Sequence, residues 1–416
     1  MPPDPNPAKA QPGWPPVVVA GVYQTGVNLM RDLIRRGLTA YGIDHNRNQP
    51  GFRSVYGKTL QCPNPDEKPA EWVDFMSDLA RKLGTKPALI PSADAFVSAM
   101  ARHRDTLKQS YLFCHDASTI QAKLATKEEQ YNLVRDHFMP APRTQFVKSP
   151  DEITQFTSVA QFPCLLKPLR TRDWDHLRDG HPFYNKKVAL ANSAEELAAQ
   201  YRLAAEINPE VVVQEIIQGP DTAKLIYFSC YNREGSRIAV SMARELRTSP
   251  MQFGPATVVE PVWDSETDRV CDQFLKRIGY AGLCEIELKR DSRDGKVKII
   301  EANPRYTGSG DFAHYAGVDL GWLHYLDLIG QAVAPVSQRA RNFRHIVLMQ
   351  DFGAIRSYRR AGLLTWGDFI RAYRPPVVFF DFDFRDWRVT ARTVSTLIRL
   401  IIGPSIRKVF PKKTRL

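Results

Sequence analysis

Apolar positions along the chain fall into short runs separated by helical stretches. Pro16-Val-Val-Val-Ala-Gly21 is a β-branched run closed by glycine and reads as a buried strand. Val27 to Arg36 carries helical periodicity and stops at Gly37. Leu38 to Asp44 predicts a second strand, Pro69 to Leu83 a helix, and Lys86 to Pro91 a third strand. Strands that alternate with helices imply βαβ units and a parallel sheet, so residues 14–119 are expected to form a Rossmann-like domain.

The pattern then changes. Lys127 to His137 predicts a helix that Met139-Pro-Ala-Pro142 brings to an end. Phe162 to Pro168 and Val211 to Ile217 read as strands, the second followed by the turn Gln218-Gly-Pro-Asp221. Ile226–Cys230 with Arg237–Arg244, and Leu283–Lys289 with Val297–Glu301, read as hairpins turned at Asn232-Arg-Glu-Gly235 and Asp291-Ser-Arg-Asp-Gly295. This β-rich block is assigned to 120–333. A proline-rich leader (1–13) without an apolar segment reads as disordered and not as a signal peptide. Residues 334–416 form a C-terminal extension.

Composition narrows the function classes. The chain has 416 residues, enough for two or three domains, and a net charge of +12. Nine basic residues against one acid from Arg385 onward hold +8 of that charge. A basic body would point to nucleic acid; this distribution points to a local basic surface and no nucleic-acid partner. Cys62, Cys114, Cys164, Cys230, Cys271 and Cys284 show no CxxC pair and fit reduced, buried thiols of a cytoplasmic protein. No apolar run reaches the length of about 18 residues that a spanning helix needs.

The chemistry concentrates in one hairpin. Strand side chains alternate, so Glu285 and Glu287 share a face, as do Glu301 and Asn303. Folding at Asp291–Gly295 would bring Glu287 near Glu301 and Asn303. Hard oxygen donors of this kind suit magnesium. The same residues also suit an ordinary solvated hairpin face, and the segment alone leaves both readings open.

Further segments decide between them. The run Glu287-Leu-Lys-Arg-Asp291, then Ile299-Ile-Glu-Ala-Asn-Pro-Arg305, together with Lys167-Pro168 and Gln214-Glu-Ile-Ile-Gln-Gly-Pro-Asp221, resembles the ATP-grasp superfamily of carboxylate–amine ligases, and most of all its D-aspartate ligase branch. The resemblance implies an α/β ATP-grasp fold behind a Rossmann-like N-terminal domain. It implies an enzyme that uses ATP and magnesium (two ions, with manganese as a substitute) to join a small-molecule carboxylate such as an amino acid to an amine through an acyl phosphate. By resemblance Lys127 and Lys167 contact ATP phosphates. Gln214, Glu215 and Ile217 line the adenine, and Asp221 accepts from the ribose. Glu287, Glu301 and Asn303 hold metal, and Arg305 and Lys167 act on the transferred phosphoryl group. Arg170 to Tyr184 has the position of a lid, and Arg244 or Arg247 that of a carboxylate-binding residue.

Two rivals remain. Gly21-Val-Tyr-Gln-Thr-Gly26 after a strand, with Asp44 ending the next, has the layout of a dinucleotide site, but the spacing is not GxGxxG. An NAD(P)-dependent oxidoreductase is therefore one alternative, and an ATP-grasp carboxylase the other. In the tail, Val394, Leu397, Ile398, Ile401 and Ile402 make an apolar stripe opposite Arg385, Arg388, Arg392 and Arg399. That pattern fits a peripheral helix on the inner face of an anionic membrane, or a helix docked on the protein's own core.

Overall fold

The protein is described here from a computed structural model. The structure describes residues 6, 8–169, 171–174, 176–184, 186–339 and 342–397. Two compact units emerge. Unit 1 comprises residues 1–125, 220–286 and 303–416; unit 2 comprises 126–219 and 287–302.

Unit 1 opens with four parallel strands: β1 (Val17–Ala20), β2 (Ala40–Asp44), β3 (Lys58–Gln61) and β4 (Ala88–Pro91), in the order β3-β2-β1-β4. β1 is buried on both faces, as a central parallel strand should be. Val17 and Val19 pack with Leu29, Met30 and Leu33, whereas Val18 and Ala20 pack with Trp72, Met76 and Phe96. β3 was not anticipated, because Lys-Thr-Leu-Gln has no apolar run. It is an edge strand with exposed ends and needs only β2 for its backbone bonds.

The first helix spans Gln24–Arg35 and starts three residues before the sequence pattern suggests. Gly26, read as a loop residue, lies in its first turn. A Cβ there would stand 2.0 Å from the Gly21 carbonyl oxygen, so only glycine permits the approach. The helix Pro69–Leu83 has the expected bounds.

Unit 2 is built on an antiparallel sheet of β5 (Thr144–Val147), β6 (Cys164–Pro168), β7 (Ala189–Ala191) and β8 (Val211–Glu215), ordered β5-β8-β6-β7. β5 and β7 are additions to the elements read from sequence. Trp174 stacks on Phe183 at 4.3 Å with an interplanar angle of 9° inside this unit's core. The proposed lid segment is therefore anchored at two buried rings. Its Arg170 and Asp175 lie outside the described residues.

The remaining strands are β9 (Lys224–Tyr231), β10 (Arg237–Thr248), β11 (Ala256–Pro261), β12 (Gly282–Arg290), β13 (Val297–Asn303), β14 (Val336–Ser337), β15 (Arg344–Ile346) and β16 (Val377–Phe379). Among the described residues they form one sheet, β13-β12-β9-β10-β11-β15-β16, with β14 alongside β10. Both expected hairpins are present with longer arms.

Near its end β10 shifts register twice, and there Arg247 turns inward. Its fork donates to both oxygens of Asp351, at 2.9 and 2.7 Å, and both side chains are buried. Thr257 Oγ1 and Tyr373 Oη donate to the same carboxylate at 2.6 and 2.7 Å. Arg247, expected as a candidate for a substrate carboxylate, is thus committed to a carboxylate of its own chain. Arg244 is likewise paired with Glu260, its Nε at 2.9 Å.

A helix starting at Trp387 runs through the last described residues. Val389 and Leu397 are buried on it, but Val394 is 40% exposed. The docked face thus follows 389, 393 and 397, and Val394 drops out of the expected stripe. Ile398, Arg399, Ile401 and Ile402 lie outside the described residues.

Asp351→Ala would strand the Arg247 guanidinium in the core. An uncompensated buried charge costs about 3–5 kcal/mol. Thermal unfolding of this variant is expected to begin well below that of the wild type, and an unchanged midpoint would remove the pair from the fold's supports.

Candidate functional site

In unit 2, the helix Lys127–Asp136 begins at Lys127. What fixes this helix is Gln130, a buried glutamine. Its Nε2 donates to the carbonyl of Ala302 at 2.7 Å, and its Oε1 accepts from the Ala302 N–H at 3.0 Å. The side-chain amide thus pairs with one residue of β13 much as a neighbouring strand would. Glu301 precedes Ala302 directly, so the clamp locates Lys127 and Glu301 together. Lys167, near the end of β6, donates from Nζ to Tyr131 Oη at 3.0 Å, and Tyr131 lies one turn after Lys127 on the same helix.

The charges register this closeness. Burial lowers the Lys127 pKa; Lys167 and Lys187 lower it further, and Glu301 opposes them. Lys127 and Lys167 are half-buried and Lys187 is exposed, so an anion beside Lys127 would offset the cost of its burial. Three predicted residues, Lys127, Lys167 and Glu301, are therefore brought within electrostatic reach of one another. Glu287 is half-buried on β12 of the same hairpin.

The hairpin turn is held by Asp291. Its carboxylate is fully buried and accepts from Arg293 Nε and Nη2 at 3.0 and 2.6 Å and from Lys298 Nζ at 2.7 Å. Burial would raise its pKa, but the bonds from Arg293 and Lys298 outweigh this and hold the carboxyl below its ordinary value. The motif aspartate is thus a closing device for the loop that carries Glu287 and Glu301.

Gln214, Glu215 and Ile217 sit at the end of β8 and just after it. Gln214 Nε2 donates to Thr144 Oγ1 at 2.8 Å, and Glu215 Oε1 accepts from the Gln161 N–H at 2.8 Å. Ile217 is buried. The polar side chains are engaged by neighbouring strands and loops.

In unit 1, Asn303 and Arg305 belong to a second group. Asn303 Nδ2 donates to Glu285 Oε1 at 3.1 Å, and Thr307 Oγ1 donates to Glu285 Oε2 at 2.7 Å. Burial raises the Glu285 pKa, against the pull of Thr307, Ser309, Arg305 and Asn303. Arg305 Nε donates to Asp94 Oδ1 at 2.6 Å and Nη2 to Asn303 Oδ1 at 3.2 Å. A small pocket of about 10 Å³ is lined by Ser229, Glu285, Arg305, Thr307 and Gly310, among others. Glu285, which shares a strand face with Glu287, is the hub of this group.

Asp221 belongs to unit 1. It is buried, and its Oδ2 accepts from Thr248 Oγ1 at 3.3 Å, from the Gln252 N–H at 3.1 Å, and from Tyr358 Oη. Its Oδ1 has no hydrogen-bond partner; Lys224 Nζ stands 3.6 Å away and is shared with the buried Glu245. Lys224 and Glu245 carried no signal in the sequence, since each reads as a polar strand residue.

With this geometry in hand, the chain can be set beside known proteins. No protein-family model matches it. The D-aspartate ligase of Enterococcus faecium is 22% identical over 320 residues, covering 69% of this chain and 74% of the relative. N5-carboxyaminoimidazole synthetase from Staphylococcus aureus, solved with ADP, superposes with a TM-score of 0.60 at 15% identity, covering 81% of this chain and 82% of that one. An L-amino acid ligase from Bacillus licheniformis gives 0.56 at 14% identity over 77% and 75%. The chain has the fold of the ATP-grasp enzymes, and its sequence is similar to that of a D-aspartate ligase.

The N-terminal glycine loop has local work. Asp44 Oδ2 accepts from the Val22 N–H at 3.0 Å and Oδ1 from the Asn46 N–H at 2.9 Å, so the acid that ends β2 holds its own loop. Gly21 has φ +98° and packs on Ser92, whose Oγ donates to the Gly21 carbonyl at 2.7 Å. Packing accounts for both glycines, and the oxidoreductase alternative loses its support.

Gln130→Ala would leave the Ala302 N–H and carbonyl without partners. An unsatisfied buried group costs about 1–3 kcal/mol. Faster hydrogen exchange at the Ala302 amide and a lower thermal midpoint are expected; protection equal to wild type would refute the clamp. Asp291 gives a pH signature. Its folded pKa lies below the unfolded 3.8, so its stabilisation is present above 3.8 and fades as pH falls through the folded value. The stability gap between wild type and Asp291→Asn should be flat near neutrality and shrink only in strong acid, as measured by urea unfolding across pH.

Proposed function

We propose that this ligase works in the cytoplasm and condenses an amino acid or similar small carboxylate with an amine, releasing ADP and phosphate. The observation that carries this reading is the set of mutually repelling Lys127, Lys167 and Lys187 beside Glu301. An anion bound there would offset the cost of burying Lys127 beside a second ammonium group. In this reading Lys127 and Lys167 bind ATP phosphates as compact charges. The end of β8, with Gln214, Glu215 and buried Ile217, receives the adenine, and Asp221 the ribose.

Glu287, Glu301 and Asn303 supply only hard oxygen donors, which suit two magnesium ions, with manganese as a substitute. Magnesium bound there would offset the phosphate charge that phosphoryl transfer develops. Arg305 turns its fork from Asp94 to the transferred phosphoryl group, a planar match for that anion. Glu285 holds Asn303 and Thr307 in place. For organisation we propose a leader at 1–13, a Rossmann-like domain at 14–119, the ATP-grasp domain at 120–333 and an extension from 334.

We also propose that the extension touches an anionic membrane. No helix among the described residues is long and apolar enough to cross one. Phe384 and Trp387 are 89% and 61% exposed beside exposed Arg385, Arg388 and Arg392, a pairing of aromatic and basic groups suited to an interface. Flotation with anionic liposomes should recover the full chain and not one ending before Arg385; equal recovery of both would end this idea.

The decisive assay is phosphate release from ATP and magnesium across a panel of carboxylates, with amines added in turn. One carboxylate should stimulate release, an amine should raise it, and Glu301→Ala should lower it about 100-fold or more, the scale of losing a charge stabiliser in the transition state. Stimulation by bicarbonate in place of an amino acid would reassign the enzyme as a carboxylase.

A further inference from the structure

A second cluster of ligand-type side chains lies inside unit 1 and is used by nothing described above. Cys114, His324 and Asp327 each offer one donor atom, and the three atoms lie within 4.8 Å of one another. All three residues are buried, with 5%, 5% and 7% of their surface exposed. His324 and Asp327 are three apart on the helix Leu320–Leu328 and so share a face. Asp327 Oδ2 is buried without a hydrogen-bond partner. Nearby Arg233 spends its Nη2 on the main-chain carbonyl of Asp327, at 2.9 Å. A second sulfur, Cys230 Sγ on β9, stands 3.7 Å from His324 Nδ1. Gly282, at φ +101°, borders the cluster: a Cβ there would crowd Gln121 Nε2 at 2.8 Å but make only ordinary contact with Cys114 Sγ and His324 Cε1, at 3.6 and 3.8 Å.

We propose that Cys114, His324 and Asp327 form a binding site for a thiophilic divalent cation, zinc in particular, separate from the magnesium chemistry of the acidic hairpin. The donors are one sulfur, one nitrogen and one oxygen, a mixture that zinc accepts and that magnesium, which wants oxygen alone, does not. A thiolate, a carboxylate and a neutral imidazole carry two negative charges, so the dication would make the buried cluster electrically neutral and give Asp327 Oδ2 its missing partner. Zinc–ligand bonds near 2.0–2.3 Å set tetrahedral donors about 3.5 Å apart, which the observed cluster reaches by a contraction of about an ångström. The site would tie the segment after β4, through Cys114, to the helix Leu320–Leu328. Buried on all sides, it is a structural site, and Cys230 stands ready as a further ligand.

The test uses the full chain, purified without metal-affinity resin and dialysed with excess magnesium to clear zinc from oxygen sites. Mass-spectrometric metal analysis should give about one zinc per chain, retained in Glu301→Ala and lost in Cys114→Ser and His324→Asn. Cobalt loaded in place of zinc should show thiolate-to-metal charge-transfer absorption, absent in Cys114→Ser. A folded wild-type chain that holds neither zinc nor cobalt after incubation overturns the proposal, as does zinc retained by both variants. Should the variants fail to fold, the cobalt spectrum of the wild type decides alone: no thiolate band means no site. None of these readouts depends on ligase activity, so they stand or fall apart from the proposed reaction.

Discussion

The pairing of Gln130 with both backbone groups of Ala302 is the constraint on which the candidate site of unit 2 depends. A glutamine amide offers a donor and an acceptor at the spacing of a strand's own N–H and carbonyl, so it can end a sheet by hydrogen bonding to its edge. Here that bond joins a helix to a strand across 172 positions of sequence. The helix contributes Lys127, the strand Glu301. Without the clamp, two oppositely charged side chains would each be placed only by the flexibility of its own stem. With it, their separation is set by backbone.

Around this constraint the structure treats its charges in two ways. Some are matched completely and buried, as Arg247 with Asp351 and Asp291 with Arg293 and Lys298, and these hold elements in place. Others are left in tension: Lys127 beside Lys167 and Lys187, and Glu285 raised by burial. Matched buried ions fix geometry, whereas mismatched ones store electrostatic free energy that a ligand can release. The contrast separates scaffold from site more clearly than residue type does, since arginine, lysine and carboxylate occur in both classes.

Much of the fold was legible because β-branched runs and glycine stops are local signals. β1, β2, β4, β8 and both hairpins follow from them directly. β3, β5 and β7 escaped, being short or polar strands whose stability comes from a partner far along the chain. The same division holds for the site. Glu287, Glu301 and Asn303 stood out through strand alternation within one hairpin. The role of Glu285 as a hub did not, since it depends on Thr307 folding back onto the strand. Nor did the fate of Arg247, which follows from a register shift in β10 and from Asp351, 104 residues later. Sequence periodicity reports which way a side chain points; it does not report what the chain will place opposite.

Unit 2 is assembled from two stretches of chain, 126–219 and 287–302, with part of unit 1 inserted between them. A ribosome delivers these in order. When residue 219 emerges, the helix that starts at Lys127 still lacks the strand that Gln130 will grip, and that strand arrives only after 67 intervening residues have been made. The nascent unit must wait with an unsatisfied amide and an open sheet edge. Synthesis thus imposes a delay between forming the cationic part of the site and supplying the carboxylates.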